Sequence, residues 1–128
     1  MKKRMKNRKN TVKIKRARSE NDEVVVCSLT DVIHLRVGDI LYLEANGYST
    51  TIHYGPSDFI VSTHNLKYWE ARLPHFFWRV HHHWFINSKK ITRFLYRQYK
   101  VNIQGKLIDI ARRRLSTYLA IYKKSGIR

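Results

Sequence analysis

Three successive histidines, His81-His82-His83, stand inside an otherwise apolar and aromatic run, Phe76 to Ile91, with Arg79, Asn87, Lys89 and Lys90 around them. The large apolar side chains of that run (Phe77, Val80, Trp84, Phe85, Ile86, Ile91) suit a core by strand or helix spacing. The imidazoles and cations need water, a hydrogen-bond partner or an anion. The run therefore reads as a rigid platform that presents polar donors. A second group, Arg112-Arg113-Arg114, sits where a helical pattern begins, and there the macrodipole disfavours cations. An anion over that helix end would compensate, with free N–H groups and guanidinium groups converging on one phosphate or one guanine edge. The bland alternative is a solvated charge run. The third group is Asn46 to Thr50, where Asn46, Tyr48, Ser49 and Thr50 supply adaptable hydrogen-bonding groups. A turn chosen only for its backbone angles accounts for Gly47 and for part of Asn46.

The histidines admit three uses: metal ligation, bracing of a loop, or contact with an anion. Neighbours on a strand point to opposite faces, and no Cys, Asp or Glu pair stands close in sequence, which argues against a tetrahedral metal site. The eight acids after residue 20 are scattered and form no pair at a catalytic spacing. The expectation is a binding protein with no enzyme activity, no metal and no cofactor.

The elements that must position these groups follow from local pattern. Val24 to Cys27, Val32 to Leu35 and Ile40 to Ala45 are short β-branched or aliphatic runs separated by turn-prone residues. Asn46-Gly47 predicts a tight turn into Tyr48 to Tyr54, and Gly55-Pro56-Ser57-Asp58 predicts a second before Phe59 to Ser62. Leu66, Trp69 and Leu73 predict an amphipathic helix within Thr63 to Leu73, stopped by Pro74. Thr92 to Gln98, Tyr99 to Ile103 and Lys106 to Ile110 resume strand patterning, with Gln104-Gly105 as a hairpin turn. Leu115, Leu119 and Tyr122 mark a final short helix with Gly126 as its stop. The tryptophans and phenylalanines read as core rather than as base-stacking platforms.

The chain has 128 residues, room for one domain and a modest core, and its formal net charge of +17 implies an anionic partner. Ten Lys/Arg and one Glu among residues 1 to 20 give that segment +9, so the remainder is still basic at +8. Residues 1 to 22 hold few apolar side chains and read as a mobile basic arm, either a solvated tail or a DNA-touching one. Residues 23 to 128 form the domain. The single cysteine, Cys27, suits a reducing cytoplasm, and the absence of a long apolar run argues against secretion or membrane insertion.

Arg79-Val80-His81-His82-His83-Trp84-Phe85-Ile86-Asn87 resembles the signature of the LytTR family of DNA-binding domains. Gly38 to Ile52 is similar to that family's first strand pair, and Ile108 to Arg114 to its closing strand-to-helix junction. The resemblance covers about Val24 to Tyr122. It implies a mostly β fold, an elongated antiparallel β-sandwich of short strands with two short helices, that binds double-stranded DNA as a transcriptional regulator. It further implies two copies on direct-repeat half-sites, leaves room for DNA bending, and gives the expectation of a stand-alone domain without the receiver or sensor that relatives usually carry. By resemblance Arg112 reaches a base while Arg113 and Arg114 hold phosphates, and the position of Thr50 touches bases. His81 braces the loop, with His82 and His83 as contacts where relatives commonly have Arg, Lys or Asn and then Ser. Arg79, Lys89 and Lys90 join the DNA-binding set, the lysines facing phosphate, and Asn87 is structural. Ala111 replaces a common Ser, so a helix-capping hydroxyl is missing.

Charge alone would also suit an RNA-binding or ribosome-associated protein. A metal-dependent enzyme and a protein-interaction module are the other rivals. If His82 and His83 meet phosphate, DNA affinity rises as pH falls through about 6.5, because imidazolium gains those contacts. Titrating binding at fixed salt from alkaline to acidic buffer checks this, and a flat response removes the histidines from the interface.

Overall fold

In the computed structural model, which describes residues 16–125, period-two alternation becomes three antiparallel sheets. β1 (Glu23–Cys27) pairs with β2 (Val32–Arg36). A five-stranded sheet follows from β3 (Ile40–Asn46), β4 (Ser49–Tyr54), β5 (Asp58–Ser62), β6 (Phe77–His81) and β7 (Trp84–Asn87), in the order β5-β4-β3-β7-β6. β8 (Arg93–Leu95), β9 (Lys100–Ile103) and β10 (Lys106–Asp109) make the third, with β9 in the middle. The helices are α1 (Leu66–Glu70), between β5 and β6, and α2 (Arg112–Ser125), after β10. The mostly β class with two helices is the architecture expected from the sequence.

The central sheet is buried on both faces, and alternation divides its side chains between two cores. Leu43, Ile52, Ile60, Phe77 and Phe85 join Val24, Val26 and Leu35 of the β1–β2 pair and Leu66, Trp69 and Leu73 around α1. Tyr42, Trp78, Val80 and Ile86 face the other way, onto Val101, Ile103 and Ile108 of the third sheet, with Leu115, Tyr118 and Tyr122 of α2 packed alongside. Leu41 and Tyr42 both enter this second core because the β3–β4 register shifts between Ile40 and Tyr42. An extra residue at such a bulge breaks strict alternation without ending the ladder.

Three boundaries differ from the sequence expectation. α1 is shorter than Thr63 to Leu73, because the Asn65 side chain accepts from the Tyr68 N–H at 3.0 Å and starts the helix there. The strand expected over Thr92 to Gln98 stops at Leu95, and a 3₁₀ turn over Tyr96–Gln98 leads to Tyr99 in the left-handed region. The arm expected up to Asp22 is docked from Arg16 onward. The Arg16 guanidinium donates to the carbonyls of Glu70 and Leu73 at the end of α1, Ala17 N–H reaches the Arg72 carbonyl, and Gly38 N–H and Val37 N–H bond to Glu20 and Asp22. Carbonyls left over at a helix end are natural acceptors for a cation. The rest of the expected arm, residues 1–15, and Gly126 lie outside the described residues.

Asn87 ties the end of β7 to the start of β3 and to the turn that follows. It is 1% exposed, its Nδ2 donates to the Ile40 carbonyl at 2.9 Å, and its Oδ1 accepts from the Lys89 N–H at 3.0 Å. Replacing Asn87 by Ala leaves two backbone groups unpaired and is expected to lower stability by about 2 to 3 kcal/mol. Urea denaturation measures it; a loss near zero would show that water takes over both bonds.

Candidate nucleic-acid interface

Backbone pairing brings the three donor-bearing segments to one end of the central sheet. The β3–β4 hairpin closes there, with Asn46 opposite Ser49 and only Gly47 and Tyr48 between them. Gly47 has φ +62°, a conformation that costs glycine little, and Tyr48 at the apex is 93% exposed. The neighbouring β6–β7 hairpin turns at His82-His83, and the Ala45 N–H donates to the His83 carbonyl at 3.0 Å, locking the two turns side by side. The Ala111 N–H donates to the Val80 carbonyl at 2.8 Å, which sets the start of α2 beside β6.

The histidine turn has no Gly, Pro or Asn, so other groups hold it. Arg79 is the principal one: its Nε donates to the His81 carbonyl at 2.9 Å, one terminal nitrogen to the His82 carbonyl at 2.6 Å and the other to Glu70 Oε1 at 2.7 Å. Arg114 adds a bond to the Arg79 carbonyl at 2.7 Å, tying α2 to the same turn. His81 Nδ1 accepts from the His83 N–H at 3.1 Å, so its imidazole braces the loop from inside. Arg79, Arg114 and His81 are thus occupied within the protein, and His82 is left exposed at the apex with its ring 4.4 Å from that of His81.

The acids of this end are set against basic side chains or imidazoles. Glu44 lies 3.1 Å from His53 and 3.7 Å from His83, Glu70 pairs with Arg79, and Asp109 pairs with Lys100. Lys100 holds the Asp109 carboxyl below its ordinary value. Arg112 and Arg113 are exposed at the first turn of α2, where no acidic residue stands. Among the described residues no three His, Cys, Asp or Glu side chains converge as a metal site.

The residues singled out by sequence therefore separate into groups. Asn46, Tyr48, His82, His83, Arg112 and Arg113 gather at the surface of this end. Thr50 does not: it is fully buried and its hydroxyl donates to the His64 carbonyl at 2.8 Å, which corrects its expected role as a base contact. Asn46, although exposed, donates from Nδ2 to Thr51 Oγ1. Lys89 and Lys90 lie beyond the opposite end of β7, with Lys89 3.7 Å from Glu20 and over the Phe76 ring at 4.3 Å. Sequence reasoning missed the bracing parts of Glu70 and Glu44, because a separation of nine residues, from helix to strand for Glu70–Arg79 and across a hairpin for Glu44–His53, matches no fixed local spacing.

A family model described as LytTr DNA-binding domain matches residues 30–122. Among solved structures, a LytTr DNA-binding domain from Bacillus cereus is similar at a TM-score of 0.65 and 17% identity, over 80% of this chain and 96% of that one. No curated protein matches the chain.

Burial, and next the repulsion from His82, hold the His81 imidazole below its ordinary value of 6.5, with smaller lowering from His83 and Arg114 and an opposing pull from Asp109. An unfolded chain then takes up this proton at higher pH than the folded one. The stability that neutral His81 contributes is complete above about 6.5 and is lost as pH falls from there to the folded value. Nitrogen-detected NMR of the histidine rings is expected to show His81 protonated on Nε2 at neutral pH, with a midpoint below 6.5. A midpoint at or above 6.5 would mean that burial and the neighbouring charges do not disfavour the imidazolium of His81 in the folded protein.

Proposed function

The chain belongs to the LytTr DNA-binding domain family, and on that premise we propose that it binds duplex DNA sequence-specifically as a transcriptional regulator, acting in the cytoplasm as a binding domain rather than an enzyme. The two hairpin turns and the start of α2 enter successive grooves. Lys and Arg supply a sequence-independent attraction through counterion release, which accounts for most of the affinity and makes it steeply salt-dependent. Base preference comes from the few side chains that reach beyond the phosphates. Arg112 carries a guanidinium fork suited to the O6 and N7 atoms of guanine. His82 and Tyr48 present shorter donors from the turn apices, and Arg113 holds phosphate next to the free N–H groups of α2. His83, linked to Glu44, and Asn46, linked to Thr51, hold the turns and offer their remaining polar atoms. Arg79 and Arg114 act one step back, fixing the turn that presents His82. Two copies on direct-repeat half-sites would extend the contact along the duplex.

The observation that carries this reading is the bonding of the three segments into one edge, through Ala45 to His83 and through Ala111 and Arg114 to β6. An edge of cations with its acids already paired is complementary to a polyanion of regular spacing. No helix among the described residues is long and apolar enough to cross a membrane.

Selecting bound fragments from random duplexes tests the proposal. The wild-type chain is expected to enrich a defined sequence. Arg112→Ala is expected to lose preference at particular base pairs, by about 1 to 3 kcal/mol each, whereas Arg113→Ala weakens all sequences alike and reduces the salt slope by about one. Unchanged preference in Arg112→Ala, or equal competition by structured RNA at matched salt, would overturn it.

A further inference from the structure

Tyr99 occupies a backbone conformation that its side chain does not favour. Its φ and ψ are 56° and 45°, the left-handed region, where Gly and Asn are at home and bulky residues are rare. The chain is held there from both sides: Tyr99 N–H bonds to the Tyr96 carbonyl at 3.2 Å, and the Tyr99 carbonyl accepts from Ile110 N–H at 2.8 Å. A turn alone would be served better by glycine. What tyrosine adds is a ring, and the Arg112 guanidinium carbon lies 4.9 Å from the centroid of that ring.

The pairing explains how the ring gets there. β9 and β10 run antiparallel with Lys100 opposite Asp109, and the Ile110-to-Tyr99 bond continues that ladder by one step. Tyr99 is thereby set beside Ile110, two residues ahead of Arg112. Arg112 itself is exposed, and the ring is the partner that the structure gives its guanidinium. A cation over an aromatic face is held electrostatically by the ring quadrupole while its N–H edge stays free to donate.

We propose that Tyr99 is a positioning residue for base reading: a cation–π platform, built on a left-handed turn, that orients the Arg112 guanidinium before DNA arrives. This rests on the assignment of Arg112 as a base reader. Arginine is flexible, and a long side chain fixed only on binding gives up rotamer entropy at that moment. Held over Tyr99, it has surrendered part of that freedom in the free protein. The platform acts on discrimination between sequences, since a guanidinium in the wrong orientation can still meet a phosphate but cannot make a two-pronged contact with guanine.

The test uses the full chain, a duplex that the wild-type protein has selected from a random pool, and a scrambled duplex of the same composition, at one salt concentration. Tyr99→Phe keeps the ring and is expected to retain wild-type selectivity. Tyr99→Leu and Tyr99→Gly are expected to lower it about two- to fivefold, the size of an exposed cation–π contact, and to have no further effect in an Arg112→Ala background. Tyr99→Gly also relieves the backbone, so a purely structural role would leave that variant at least as selective as wild type. In the free protein, the Arg112 side-chain NMR signals are expected to show an upfield ring-current shift that Phe preserves and Leu and Gly abolish. Undiminished selectivity in Leu and Gly variants, or an unshifted Arg112 in the wild type, overturns the platform and leaves DNA reading standing. Absence of selectivity in the wild-type chain overturns both.

Discussion

The candidate interface depends on one guanidinium group. Arg79 leaves β6 pointing back over its own turn and satisfies the carbonyls of His81 and His82 while Glu70 balances its charge. Those carbonyls belong to a hairpin whose register slips between Arg79 and His81, so the ladder does not supply all their partners. A lysine, with one point charge and no planar fork, could not satisfy three acceptors in these directions. Because the Arg79 carbonyl in turn receives Arg114 and the Val80 carbonyl receives Ala111, the geometry of the turn fixes the start of α2 as well. The unpaired carbonyls of the turn and the placement of a helix thus become one problem with one solution.

The two-sided central sheet explains why this solution lies at an end of the sheet. Both faces are spent on cores, one beneath the β1–β2 pair and α1, the other beneath the third sheet and α2. Charge has to leave through the turns and the flanking surfaces, and a protein at +17 has much of it to place. The few acids are set against groups that brace: Glu70 with Arg79, Glu44 with two imidazoles, Asp109 with Lys100. Repulsion is relieved where backbone must be held still, and unrelieved positive charge remains where an external anion can answer it.

How much of this was legible in the sequence depends on whether the signal was local. β-branched and aliphatic runs marked β1 to β5, Asn46-Gly47 marked the hairpin, and the structural part expected of Asn87 is met by its two buried hydrogen bonds. Thr50 misled, since its base contact was carried over by resemblance to a loop position; pairing opposite Ala45 on a strand flanked on both sides buries it instead. The break at Tyr96–Gln98 and the left-handed Tyr99 carried no turn signal, because tertiary bonds rather than turn-forming residues impose them. The histidine turn was visible as chemistry but not as a turn, and Arg79, read as a cation awaiting an anion, had one inside the protein.

Bracing of this kind has a consequence for recognition by loops. Loops that order on contact give up conformational entropy during binding, whereas turns tied to one another by backbone bonds have done so on folding. The long-range attraction of a basic protein is indifferent to sequence, so selectivity must come from a small number of side chains whose position is certain before contact. If Arg112 reads a base as proposed, the short reach of the histidine at the apex leaves more of the discrimination to Arg112. On that proposal, a reader that carries more of the burden gains more from being held in place, and the Tyr99 ring lies 4.9 Å from the Arg112 guanidinium carbon.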